Sequence, residues 1–149
     1  MKEGMALTSK AIYYFSLTGN TKAMLSTIED LEQWDIYDLN TMRPEEVTFK
    51  GYDTVLIGTL TIGRGNPPSY FKRMVHALRS MQGVRIGLFG SGQTHYGDDY
   101  CGALDVLEDF LQPRNEIAFK MKYESYPVPS VMEEFKQLVK EMQYEDIKV

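Results

Sequence analysis

Cysteine is almost missing from this 149-residue chain: Cys101 stands alone, which rules out an intramolecular disulfide and fits a reducing compartment. No apolar run approaches the ~20 residues of a membrane span. Met1-Lys2-Glu3-Gly4-Met5 shows neither the apolar stretch nor the cleavage site of a secretory signal, so a cytoplasmic protein is expected. A basic stripe is missing too. With a net charge of −5, the chain is a poor match for nucleic acid and mildly favours basic protein surfaces as partners. Histidine and cysteine do not cluster at metal-ligand spacing, and nothing assembles a nucleophile, a base and an orienting acid. No metal and no catalytic residue is expected. Internal repeats and low-complexity tracts are likewise absent.

What is there suffices for one core: 43% hydrophobic and 25% charged residues over this length predict a single domain spanning 1–149. The organising stretch runs from Ala11 to Leu25. Ile12, Tyr13, Tyr14 and Phe15 read as a strand buried on both faces, and Lys22-Ala23-Met24-Leu25 opens a helix. Between them, Ser16-Leu17-Thr18-Gly19-Asn20-Thr21 offers hydroxyls, an amide and free backbone N–H groups at a helix N-terminus, which makes an anion seat. The P-loop lysine and the three spaced glycines of a dinucleotide fingerprint are both lacking, so a single phosphate fits best. The same residue types are also ordinary helix caps. The rest of the chain weighs between the two readings.

Ala23, Met24, Leu25, Ile28 and Leu31 fall at helical spacing and predict roughly three turns. Trp34 to Leu39 alternates apolar and acidic residues, as an edge strand does, and residues 40–52 hold too few apolar positions for a full helix. Thr54 to Gly58 and Val84 to Phe89 read as central parallel strands. The first runs into a loop from Thr59 to Pro68, the second into a loop from Gly90 to Tyr100. One helix is predicted on Tyr70, Phe71, Met74, Val75 and Leu78, and another on Ala103, Leu104, Leu107 and Leu111. Ile117 to Met121 is the last strand, and Val131 to Met142 a closing helix on Met132, Phe135, Leu138 and Val139. Strand, loop and helix five times over imply an α/β fold, a doubly wound five-stranded parallel sheet with helices on both faces. The loops after the first, third and fourth strands would then meet at one edge, where such folds bind ligands.

Two of those loops resemble a known family. Ser16 to Thr21 resembles the phosphate loop of flavodoxins. Gly90-Ser91-Gly92-Gln93-Thr94-His95-Tyr96, continuing through Asp99-Tyr100-Cys101-Gly102-Ala103-Leu104-Asp105, is similar to their third flavin-binding loop and the helix after it. The resemblance implies noncovalently bound FMN and transfer of electrons to a redox partner protein, a reductase or a metalloenzyme, without substrate turnover. It implies phosphate contacts from Ser16, Thr18, Asn20 and Thr21 within the loop that also holds Leu17 and Gly19. It sets the ring edge against the loop of Thr59, Leu60, Thr61, Ile62 and Gly63 and against Gly90, Ser91, Gly92 and Gln93, with Tyr96 stacked on the ring beside Gly97 and Asp98.

In the second loop Ile62 stands where flavodoxins often carry tryptophan, and Gly63-Arg64-Gly65-Asn66 lacks their acidic rim. Ser91-Gly92, three residues, then Tyr96-Gly97-Asp98 is also similar to the signature of the flavodoxin-like activator of class Ib ribonucleotide reductase, the alternative reading. His95 reads as a solvated loop residue, Tyr100 as packing at a helix start and Cys101 as an inert thiol. Tyr96, on a glycine-rich loop, is hard to explain as core, whereas its face suits a flat π-system. Replacing Tyr96 by alanine is expected to weaken FMN and riboflavin alike, by about 1–3 kcal/mol on the scale of base–aromatic stacking. An unaltered dissociation constant together with an unaltered visible spectrum would take Tyr96 off the ring.

Overall fold

A computed structural model describes residues 9–15, 20–60, 69–92, 102–124 and 127–144. Its strands are β1 (Lys10–Tyr14), β2 (Asp35–Asp38), β3 (Thr54–Leu60), β4 (Arg85–Gly92) and β5 (Glu116–Glu124), all parallel, in the order β2-β1-β3-β4-β5. Every residue of β1 is buried, as a strand covered on both faces requires. β2 is the edge its alternating acids predict, with Ile36 left 44% exposed. β3, β4 and β5 run further toward their carboxyl ends than the apolar runs suggest, because neighbouring strands carry the ladder on into glycines and polar residues.

Successive side chains leave each strand on opposite faces, and two helical layers receive them. On one face, Ile12, Leu56, Phe89 and Met121 pack against Met24 and Leu25 of α1 (Asn20–Leu25) and Phe135, Val139 and Met142 of α5 (Pro129–Tyr144). On the other, Ala11, Tyr13, Val55, Ile57, Ile86 and Leu88 meet α2 (Ser69–Arg73), α3 (Val75–Ser80) and α4 (Gly102–Leu111), through Phe71, Leu78, Leu104, Leu107 and Leu111. Residues 39–52 form the short predicted crossover, with 3-10 turns at Leu39–Thr41 and Pro44–Glu46.

Two helices differ from their periodicity. α1 stops at Leu25 because the hydroxyls of Ser26 and Thr27 donate back to the carbonyls of Ala23 and Met24, both at 2.7 Å, and close the chain into a turn. Ile28 is buried all the same, so its spacing marked a core position and not a helical one. The predicted helix over Tyr70 to Leu78 is two, interrupted at Met74, whose N–H bonds to Phe71 three residues back while both side chains stay in the core. β4 and β5 also slip in register: Ile86 pairs with Ile117, but Gly87 with Phe119. The bulge at Ala118 turns Phe119 to the α1/α5 face, and its ring fills the space beside Gly87.

Polar contacts lock the amino edge of the sheet. Lys10, only 9% exposed, donates to Asp30 at 2.7 Å, to Gln143 at 2.8 Å and to Gln33 at 3.3 Å, and lies over the ring of Trp34. This one ammonium ties β1 to the segment after α1 and to α5. Burial would raise the Asp30 carboxyl, but the bonds from Lys10 and from the Trp34 indole outweigh it and hold the group below its ordinary value. Asp105 is lowered in the same way: burial opposes the shift, and Lys120 at 2.6 Å and Lys122 at 2.9 Å prevail. Carboxyls that titrate lower in the folded chain than in the unfolded one lend stability that is complete above about pH 5 and disappears as the pH falls through ~3.9 toward the folded values. The denaturant midpoint is therefore expected to be flat from neutrality to about pH 5 and to drop below it. Asp30→Asn should cost about 1–3 kcal/mol at pH 7, the range for a charged hydrogen bond, and shrink that acid response. A midpoint in the variant that still falls as steeply would mean that Asp30 is not its source.

Candidate functional site

At the carboxyl edge the sheet is stepped. Tyr14, the last residue of β1, pairs with Gly58, and the N–H of Phe15 reaches the Gly58 carbonyl at 2.9 Å. β3 continues beyond that level to Leu60, and β4 alongside it to Gly92. Two further residues of β3 stand about 7 Å above the end of β1 at ~3.3 Å per residue. The step lies between β1 and β3, where the strand order reverses, the position at which open parallel sheets seat their ligands.

The carboxyl ends of β1, β3 and β4, from which the three special segments leave, lie side by side at this edge. Residues 16–19 leave β1 and return as α1, whose second residue Thr21 is 5% exposed. Its burial follows from the neighbouring Met24 and Leu25, which anchor α1 on the core. Residues 61–68 leave β3, and residues 93–101 leave β4. The last two loops begin later than the sequence suggests, since Thr59 pairs with Gly90, Leu60 with Ser91, and Gly92 with Glu124. Thr59 is buried at 3% exposure, and Ser91 is half-buried at the rim. Of the predicted contact residues, Asn20, Thr21, Thr59, Leu60, Gly90, Ser91 and Gly92 thus have a described backbone. Ser16, Leu17, Thr18, Gly19, Thr61, Ile62, Gly63, Gln93, Tyr96, Gly97 and Asp98 lie outside the described residues, as do Arg64, His95, Tyr100 and Cys101.

Free backbone N–H groups at the start of α1 favour an anion there, and Thr21 lies in its first turn. The phenols nearby are held neutral: burial, then the charge of Asp38, raises Tyr14, and burial, then Glu46 and Glu45, raises Tyr70. Among the described residues no group of three His, Cys, Asp or Glu is placed to hold a metal. An aromatic pair also borders the first loop, Phe15 and Tyr70 with ring centroids 5.3 Å apart, and the Tyr70 hydroxyl bonds to the carbonyl of Met42 at 2.9 Å. The sequence showed these only as a strand residue and a helix-face residue; their meeting depends on how α2 lies against the sheet.

Gly90 keeps the paired ends of β3 and β4 close. A Cβ there would lie 2.6 Å from the Thr59 carbonyl oxygen and 3.1 Å from Leu104 Cδ2, and a backbone oxygen in a ladder cannot step aside as a side-chain tip does. Gly90→Ala is expected to destabilise by about 1–3 kcal/mol, the cost of overpacking, seen as a lower denaturant midpoint at unchanged slope. An unchanged midpoint would show that the strand ends part freely.

Comparison with known proteins bears on this edge. The sequence model of the family described as flavodoxin matches residues 12–116, from β1 to the first residue of β5. Probable flavodoxin 2 of Bacillus subtilis (strain 168) is 32% identical over 109 residues, 69% of this chain and 72% of that protein. The crystal structure of oxidised flavodoxin 1 from Bacillus cereus superposes with a TM-score of 0.78 at 24% identity, over 93% of this chain and 99% of that one. Fusobacterium nucleatum flavodoxin bound to flavin mononucleotide superposes with a TM-score of 0.72 at 15% identity, over 93% and 99%.

Proposed function

This chain belongs to the flavodoxin family, and on that premise we propose that it binds FMN at the stepped carboxyl edge and carries electrons between redox partner proteins. The observation that carries the reading is the step between β1 and β3, at the sheet edge from which all three loops leave. The residues present suit the group. Ser16, Thr18, Asn20 and Thr21 would hold its phosphate at the start of α1. Thr59, Leu60, Thr61, Ile62 and Gly63, with Ser91, Gly92 and Gln93, would border the ring, and Tyr96, Gly97 and Asp98 would cover it. Bound FMN would supply the one-electron chemistry. The chain would orient it, exclude water from one side and leave an edge open to partners.

No helix among the described residues is long and apolar enough to cross a membrane, in keeping with the cytoplasmic location proposed here. The sequence alternative, an activator of class Ib ribonucleotide reductase, is not favoured, because the relatives at 30% identity or more include probable flavodoxins and the structural neighbours include several flavodoxins.

An absorbance spectrum of the purified chain during stepwise reduction tests the reading, and a colourless protein that takes up no FMN would refute it. Within it, replacing both Thr18 and Thr21 by alanine is expected to weaken FMN by about 1–3 kcal/mol for each charge-assisted bond lost, with riboflavin affinity nearly unchanged. Equal losses for the two ligands would move the phosphate elsewhere. FAD should bind poorly, since the seat accommodates one phosphate and lacks a pyrophosphate fingerprint.

A further inference from the structure

A second constellation occupies the α2–α4 face of the sheet, closed by the crossover of residues 39–52. Tyr13 and Tyr37 are direct register partners on β1 and β2, with rings stacked at a centroid distance of 4.7 Å and an interplanar angle of 16°. Tyr52 meets both edge-on, at 6.4 and 6.2 Å. Its hydroxyl donates to Asp35 Oδ2 at 2.6 Å. A phenol has one proton to give, so Tyr52 must accept from Tyr37, whose hydroxyl lies 2.5 Å away. The hydrogen bonds therefore have a direction, from Tyr37 to Tyr52 to Asp35. Asp35 is exposed and opens the line to water. Tyr13 donates instead to the Thr48 carbonyl at 2.5 Å, an acceptor that cannot take up a proton, so Tyr13 contributes its ring alone.

We propose that Tyr37, Tyr52 and Asp35 form a proton-coupled redox site that takes up one oxidising equivalent from a small one-electron oxidant. The oxidant gains one electron, and Tyr37 loses it. The Tyr37 O–H bond breaks and its proton passes to Tyr52 Oη, while the Tyr52 proton passes to the Asp35 carboxylate. The products are a neutral phenoxyl at Tyr37, a carboxylic acid at Asp35 and the reduced oxidant, so charge and atoms balance. Electron loss without proton loss would leave a cation on a half-buried ring, which the surroundings disfavour. Burial, then the bonds to Asp35 and Tyr37, raises the Tyr52 phenol well above its ordinary range, which keeps the proton on Tyr52 until an electron leaves. The nine methionines of the chain, oxidisable thioethers, are the groups such a sink would spare.

The site shares no residue with the proposed cofactor loops, so its failure would leave the FMN reading intact. The test oxidises the full chain with flash-generated tris(bipyridine)ruthenium(III) and follows the tyrosyl radical by absorbance, with Tyr37→Phe supplying the background from the other tyrosines. Asp35→Asn keeps an acceptor oxygen for Tyr52 but cannot take a proton, so a merely structural contact survives it. The Tyr37-dependent phase is expected to slow by at least about tenfold in Asp35→Asn, a conservative share of the ~10²-fold a positioned proton acceptor contributes. In the unaltered chain the same phase should be slower in D2O than in H2O, a measurement that needs no variant. Radical formation undiminished in Tyr37→Phe, equal rates in Asp35→Asn and the unaltered chain, or a D2O ratio of one would each overturn the proposal.

Discussion

A parallel sheet covered on both faces leaves its ligands nowhere to bind except at the strand ends, and this constraint shapes the whole molecule. The ladder uses the backbone groups along the sides of the inner strands, and two apolar layers bury their faces. β1, buried at every position, is where the constraint is strictest. Its neighbours on either side are connected in opposite directions, so its carboxyl end falls where the crossovers diverge. Because β1 ends two residues below β3, that divergence is also a step in the sheet.

The two edges divide the labour. The amino edge is built for permanence, with a nearly buried ammonium satisfied by one carboxylate and two amides, and Arg85 reaching both Glu116 and the last turn of α5 at the Met142 carbonyl. The carboxyl edge is built from small residues. At Gly58 the Phe89 ring takes the space a side chain would fill, and at Gly90 the Thr59 carbonyl does so, so adjacent strands stay close up to their ends. A short α1, stopped by the hydroxyls of Ser26 and Thr27, still puts Thr21 beside the step because Met24 and Leu25 fasten it to the core.

Fold alone does not assign chemistry, since many activities share doubly wound sheets. Here the family match begins at β1 and takes in all three loops, the parts of the chain from which a functional reading can be argued. The tyrosine constellation is separate from them. It owes its existence to the short crossover, which brings Phe49 and Tyr52 over the pair on β1 and β2 where a longer connection would lay a helix.

How much of this was legible in the sequence follows from the range of the forces involved. Burial on both faces leaves continuous apolar runs such as Ala11 to Tyr14 and Thr54 to Gly58, and an exposed edge leaves the alternation of Asp35 to Asp38, so strand type and sheet class could be read directly. The family was legible for the same reason, because the motifs that carry the resemblance, Ser16 to Thr21 and Gly90 to Tyr96, are contiguous. Where elements end was not. The ladder carries Ser91 and Gly92 into β4 because Leu60, Tyr123 and Glu124 are there to receive them. The bulge that turns Phe119 over Gly87, the break at Met74 and the joining of Lys10 to Gln143 all depend on partners distant in the chain. Periodicity records which residues are buried; only the tertiary structure decides against what, since that is settled by contacts between segments that the order of residues does not reveal.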